Sequence, residues 1–371
     1  MDTLIEPTLG EIQRLRDSAW KAIETSTVDG AERTKYWTAW TAHCAMYGSH
    51  SDTRTTTPDT DKLLTFAVAV REGKYGRGTQ VKVQSVEKAL RHVAQKLVLD
   101  GHPDPRKASP PQQSLDLPIS RLLKSFGDRD PPAEPKLAIP ISTITTISTY
   151  YRWTPHLDAV ADLVTMAFFY LLRVGEYTSP TTPRDKRTIP LRLCDIRLWR
   201  NGTVLLHSSG LHNLMTADSA TICIANTKNG SKGVVVHHEA IGGHICPVAA
   251  IARRVANISL GPLKGTLDTV YHGATAVSKV TDRDIGLAVR WGATHDGLLL
   301  RGYTLNRVSS HSLRAGGAMA LKLCGASDST IMRVGRWTSL TYLTYIHTQI
   351  GALTAGLAWK MSTAFTFQNV G

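Results

Sequence analysis

A chain of 371 residues is too long for one ordinary domain, so two are expected. Its 42% hydrophobic content and mean hydropathy of -0.13 fit packed cores in water, and no apolar run reaches the roughly eighteen residues of a membrane span. The net charge of +13 favours a polyanionic partner, and it is uneven: residues 1–140 hold 20 Lys and Arg against 18 Asp and Glu, the remainder 23 against 12.

The N-terminal stretch MDTLIEPTLGEIQRLRDSAW has no basic segment followed by an apolar one, so no signal peptide is expected. Five scattered cysteines (Cys44, Cys194, Cys223, Cys246, Cys324) form no CxxC pair, which suits free thiols in a reducing compartment. His244 and Cys246 lie close together, but two ligands in one loop do not make a metal site.

Helices are expected over 9–25, 31–47, 60–72, 80–99 and 115–126, with breaks at Asp29-Gly30, Tyr47-Gly48, Gly73 to Gly78 and Gly101-His102-Pro103. The fourth is the clearest, because Val81, Val86, Ala89, Leu90, Val93 and Leu97 mark an apolar stripe at helical spacing. A proline-rich stretch from Asp128 to Pro135 cannot continue a helix. The expected division is a helical domain over 1–127, a linker over 128–140 and a second domain over 141–371.

That second domain is expected to open with helices over 141–151 and 157–176. Three strands follow at 203–207, 220–226 and 233–238, rich in Val, Ile and Thr. Between the last two, Lys228-Asn229-Gly230 signals a hairpin turn. Helices are read over 247–256, 282–291, from Ser310-His311 onward, and over 340–347; Ser309 or Ser310 is a plausible cap. The fold class is therefore mainly α with a small antiparallel β-sheet.

Transferring a phosphodiester without a metal needs a nucleophile, donors for the non-bridging oxygens, and an acid for the departing alkoxide. Arginine suits the donor task, since its charged planar fork gives two hydrogen bonds to phosphate. Lysine or histidine can move the proton, and a tyrosine phenolate can attack and store the bond as a phosphotyrosine.

Four elements supply these residue types in order. They are Leu171-Leu172-Arg173-Val174-Gly175-Glu176, Thr227-Lys228-Asn229-Gly230, His311-Ser312-Leu313-Arg314-Ala315-Gly316-Gly317-Ala318, and Gly335-Arg336-Trp337 running on to Tyr342-Leu343-Thr344-Tyr345-Ile346. Together they resemble the first arginine motif, hairpin lysine, His-x-x-Arg motif and Gly-x-[His/Trp] element with following nucleophile of the tyrosine recombinases (phage-integrase type). Each alone has a plainer reading. Arg173 and Glu176 make an i,i+3 surface pair, Lys228 a solvated turn residue, His311 a helix start, and Trp337 a core anchor.

The resemblance implies a helical core-binding domain followed by a tyrosine-recombinase catalytic domain (α+β), which clamp double-stranded DNA between them. It implies that Arg173 and Arg314 hold the scissile phosphate, Lys228 protonates the leaving 5′-oxygen, and His311 binds phosphate or takes the tyrosine proton. Trp337 would fill the His/Trp position, Tyr345 would attack to give a 3′-phosphotyrosine, and Glu176 would orient its neighbours. No metal or organic cofactor is implied. A homotetramer on a DNA synapse follows from strand exchange, which involves four cleavages, and the tail after Tyr345, with Leu353, Leu357 and Trp359, either docks on a neighbouring protomer or covers its own core.

Two assignments stay open. Tyr342 competes with Tyr345 for the nucleophile, with spacing on the side of Tyr345, and Lys232 competes with Lys228 across the same turn. The Gly-Arg-Trp wording resembles recombinases of eukaryotic mobile elements, the DIRS-like and Crypton groups. This implies nuclear action in a eukaryote, and otherwise action in the cytoplasm or nucleoid. The rival readings are a catalytically inactive, domesticated DNA-binding protein and a type IB topoisomerase-like enzyme. A metal-dependent transposase would need clustered carboxylates, and no convincing constellation appears.

Overall fold

The computed structural model describes residues 10, 13–14, 16–19, 30–46, 60–107, 114–132, 136–179, 188–226, 232–259, 268–273 and 278–349, the side chains of 30–33 and 345–349 excepted. The chain divides into two compact units, Met1–Ala133 and Glu134–Gly371. Within the stretch 128–140 expected as a linker, Asp128 and Arg129 finish a helix, whereas Leu137, Ala138 and Ile139 are buried in the second unit. There the Leu137 N–H donates to Arg307 O at 3.0 Å and the Tyr303 hydroxyl to Ala138 O at 2.8 Å.

The first unit packs α1 (Gly30–Met46), α2 (Thr60–Arg71), α3 (Val83–Leu99) and α4 (Leu117–Arg129). The α3 stripe is the centre of its core: Val86, Ala89, Leu90, Val93 and Leu97 are all buried. Trp40 meets Phe66 edge-on, with ring centroids 5.2 Å apart. Asp130 closes the bundle, accepting from the Val83 N–H at 2.8 Å and from Arg71 Nη1. Of the helix expected over 9–25, the described positions 10, 13–14 and 16–19 are helical.

The second unit is built on α6 (Pro155–Phe169), whose residues from Ala159 to Phe168 are all buried. Thr154 caps it by accepting from the Leu157 N–H, and Pro155 takes the first turn, where a missing N–H costs nothing. Packed against it are α5 (Ile141–Tyr150), α9 (Pro247–Ser259), α10 (Asp282–His295) and α11 (His311–Leu323). Fully burying each of its Val, Leu and Met side chains contributes about 1.5–3 kcal/mol. Two short helices, α7 (Val174–Tyr177) and α8 (Leu211–Leu214), lie in the connections, and α12 (Asp328–Gly335) follows α11.

The sheet has four strands rather than the three expected: β1 (Ile196–Arg200), β2 (Thr203–Leu205), β3 (Ser219–Asn226) and β4 (Lys232–Glu239). They run antiparallel in the order β2-β1-β3-β4. Ile222 stands opposite Ile196 and Val236, on the buried face. The strand missed by the sequence reading, β1, carries arginines at Arg197 and Arg200, and only its alternate residues Ile196 and Leu198 reach the core. Asn226 pairs with Lys232, so the hairpin tip carrying Lys228 lies outside the described residues, as does the tail 352–359.

Three helices depart from expectation. The helix expected over 157–176 ends at Phe169, because Leu171 takes a left-handed backbone conformation (φ 48) that no ordinary helix tolerates. The Leu172 N–H then returns to Ala167 O at 3.0 Å, a closing bond typical of helix ends. Second, α12 was not expected at all; Ser327 starts it by accepting from the Thr330 N–H at 3.2 Å. Third, the helix expected over 340–347 is a 3-10 segment, Leu340–Gln349.

Two glycines set how closely α11 can approach. A Cβ on Gly316 would overlap the Ile139 carbonyl oxygen, and one on Gly317 the Phe168 carbonyl oxygen. The Ala-Gly-Gly-Ala run therefore lets α11 lie directly against the end of α6, with Arg314 one turn upstream. Among the described residues, no helix is long and apolar enough to cross a membrane.

Candidate active site

Three loops converge where α6 ends. The first is Tyr170-Leu171-Leu172-Arg173, the second the start of α11, and the third Gly335-Arg336-Trp337 beyond α12. Leu171 turns its carbonyl away from α6, and that carbonyl accepts from Arg314 Nη1 and, at 2.9 Å, from Arg336 Nη2. The second fork nitrogen of Arg314 donates to Gly335 O. Arg314 is almost fully buried, and its guanidinium lies 4.2 Å above the Trp337 ring. Gly335 is required there, because any Cβ would collide with the Trp337 ring.

Arg173 stands at the entry to α7 with an extended backbone (φ -80, ψ 143). Its N–H donates to Glu176 Oε2 at 2.8 Å, which closes the first turn. Among the described residues its guanidinium has only long contacts, 3.4 Å to Glu176 Oε1 and 3.5 Å to Arg336 O, and it keeps some exposure. A fork held that loosely is available to a phosphate. Glu176 is fully buried, so the surface-pair reading of Arg173 and Glu176 does not hold. The carboxylate also forms a shorter, buried ion pair with Arg336 at 2.8 Å.

Sequence reasoning gave Arg336 no role. It sits at the C-cap of α12 with φ 57, a conformation that costs a side-chain-bearing residue roughly 1–2 kcal/mol. Besides Leu171 O and Glu176, it reaches Val334 O at 3.1 Å and Tyr170 O at 3.3 Å. Burial pulls its guanidinium below the ordinary arginine value, with Glu176 opposing. A basic residue between Gly335 and Trp337 reads as a solvated helix end, so only a search for a partner to Glu176 would have marked it.

His311 is the first residue of α11, exposed, three positions before Arg314 on the same helical face. Ser310 makes no side-chain cap; the Ser309 hydroxyl accepts from the His311 N–H at 3.3 Å instead. From β4, one ring nitrogen of His238 meets Phe169 O at 2.9 Å, and its ring stands edge-on to Tyr170 at 4.6 Å. The strand that leads out of the hairpin is thereby tied to the arginine loop. Lys232 is exposed at the start of that strand.

The two tyrosines part company. Tyr342 is fully buried in a cluster with Ala138, Ala315, Ala318, Met319 and Ile331. Its hydroxyl donates to Asp328 Oδ1 at 2.5 Å, and its pKa is pushed up to about 12 by burial and then by Asp328. Such a phenol resists ionisation. Tyr345 is one 3-10 turn further on, and its side chain lies outside the described residues. Tyr342→Phe is therefore expected to cost about 1 kcal/mol of stability, the value of a lost hydrogen bond, and to leave DNA strand cleavage intact. Thermal unfolding and a cleavage assay check both halves.

No family model matches the chain, and no curated protein matches it. Among solved structures, the XerH site-specific recombinase bound to palindromic difH substrate in a post-cleavage complex aligns over 85% of this chain and 76% of its own, with TM-score 0.52 and 16% identity. The fold is that of the tyrosine recombinases. The Tn1549 transposon integrase with right-end DNA (12% identity, 92% and 98% coverage, TM-score 0.49) aligns more loosely. So does a lambda integrase dimer on a COC′ core site (11%, 90% and 94%, 0.45). In this tyrosine-recombinase fold, the sequence-derived candidates Arg173, Arg314 and Trp337 come together around the end of α6, and His311 lies at the start of the helix that carries Arg314. Among the described residues, no group of three His, Cys, Asp or Glu is placed to hold a metal ion.

Proposed function

We propose that this chain is a site-specific DNA recombinase that cleaves and rejoins strands through a 3′-phosphotyrosine. The observation that carries the reading is the meeting of Arg173, Arg314 and Trp337 at one carbonyl-lined turn, on a fold shared with a recombinase captured after cleaving its DNA. Arg173 and Arg314 clamp the scissile phosphate and stabilise the charge of its pentacoordinate transition state. The Tyr345 oxygen attacks phosphorus as the bond to the 5′-oxygen breaks, and Lys228 gives that oxygen its proton. His311 binds the phosphate or accepts the tyrosine proton. Attack by the freed 5′-hydroxyl of another strand reverses the step and regenerates the tyrosine.

Double-stranded DNA is the substrate, held by the excess basic charge of the second unit. Four copies on two duplexes form the synapse, because exchange involves four cleavages. The Gly-Arg-Trp wording supports a DIRS-like or Crypton-type mobile element, and with it a nuclear site of action.

The test incubates the full chain with nicked duplexes drawn from DNA flanking its gene, in EDTA. Loss of the small fragment beyond the nick traps the covalent product. A denaturant-resistant protein–DNA adduct is expected. DNA that is bound without any adduct would make the chain a non-cutting DNA-binding protein, and relaxation of supercoils without strand exchange would make it a topoisomerase.

A further inference from the structure

The buried Arg336 side chain joins every part of the site that holds an arginine. One nitrogen bridges Leu171 O at 2.9 Å and Glu176 Oε2 at 2.8 Å, and the other reaches Val334 O and Tyr170 O. Leu171 O is the acceptor for Arg314, and Glu176 is the acceptor for both the N–H and the guanidinium of Arg173. The backbone at Arg336 would suit glycine better, so the side chain is kept against a local preference.

We infer that Arg336 is a positioning residue that keeps Arg173 available to the scissile phosphate by occupying Glu176; this rests on the recombinase reading above. Arg173 and Arg336 compete for one carboxylate. A buried carboxylate demands a cation. With Arg336 at 2.8 Å, Glu176 holds the Arg173 guanidinium only at 3.4 Å. Without Arg336, Arg173 is the cation left beside Glu176 and is drawn into a tight pair, turned away from the phosphate. Arg336 also fixes the Leu171 carbonyl, from which Arg314 takes its bearing.

The test compares wild type with Arg336→Gly, which suits the left-handed backbone, and with Arg336→Gly/Glu176→Gln. Single-turnover adduct formation is measured on a nicked duplex with an ordinary scissile phosphate and on one carrying a methylphosphonate there. Arg336→Gly is expected to cleave the ordinary phosphate about 10–100-fold more slowly at unchanged DNA affinity. The deficit should shrink on the methylphosphonate, where one charge needing an arginine is gone. The added Glu176→Gln should restore part of the lost rate, because a neutral amide no longer captures Arg173.

Equal deficits on both substrates, or no recovery in the double variant, would overturn the inference and leave Arg336 as a packing residue. Should Arg336→Gly fail to fold, the double variant, which buries no lone charge, is read on the same two substrates. Failure of both to fold would also overturn it. Absence of an adduct from wild type would instead strike the recombinase reading itself, so the two failures are distinguishable.

Discussion

Replacing Arg314 by alanine is expected to slow single-turnover cleavage of a nicked duplex by about 10²–10³-fold, the loss that follows removal of one well-placed donor to a transition-state oxyanion. The structure adds a second consequence. Arg314 satisfies Leu171 O and Gly335 O and stacks on Trp337, so the truncation leaves two inward carbonyls without it and a ring without its cation. Each orphaned acceptor costs about 1–3 kcal/mol, although Leu171 O keeps Arg336 as a partner. Arg314→Lys should rescue little, since an ammonium cannot bridge the two carbonyls and lie flat on the indole as a planar fork does. Rapid-quench cleavage together with thermal unfolding separates the two effects. Near-wild-type cleavage by Arg314→Ala would remove Arg314 from the chemistry.

Glu176→Leu is expected to have the largest effect on folding, a loss of about 3–5 kcal/mol, because it strands a buried guanidinium. Glu176 and Arg336 are both buried, and their 2.8 Å ion pair has little solvent to take its place. The α7 turn also loses the carboxylate that accepts the Arg173 N–H. A control marks the scale: Asp158→Ala, at an exposed carboxylate 3.3 Å from Arg152, should change stability by about 0.5 kcal/mol or less. Urea unfolding of the full chain followed by the tryptophan signal reads both variants. Comparable midpoints for the two would mean that the buried pair contributes no more than a surface one.

Much of the architecture is legible in the residues because it rests on local rules. The α3 stripe and the Val-, Ile- and Thr-rich β3 each follow from one segment's own pattern, although the start of α6 at Thr154-Pro155 lies ahead of the expected residue 157. The His-x-x-Arg run was legible through its resemblance to a family motif, and its glycines explain why Arg314 can sit against α6. What could not be read is set by contacts between distant segments. Leu171 lies in an apolar run that nothing local interrupts, yet the helix has ended by Phe169 and the Leu171 carbonyl is taken by arginines from the Gly335 loop and α11. Arg336 looks like any basic helix end until Glu176 is placed beside it. Spacing puts Tyr345 ahead of Tyr342, but the burial of Tyr342 against α11 and α12 could not be read, because segments distant in the chain set it. The strand β1 escaped notice because its exposed face carries arginines, and α12 because a short helix offers little period to detect.

A covalent bond between DNA and one tyrosine would be seen by peptide mapping of the trapped adduct. The full chain would be reacted with a nicked duplex in EDTA, digested with protease and nuclease, and analysed by mass spectrometry for a peptide carrying a 3′-nucleotide. That mass is expected on the peptide containing Tyr345, with fragmentation placing the nucleotide on Tyr345 and none on Tyr342. A nucleotide found on Tyr342, or an adduct that survives Tyr345→Phe unchanged, would contradict that placement.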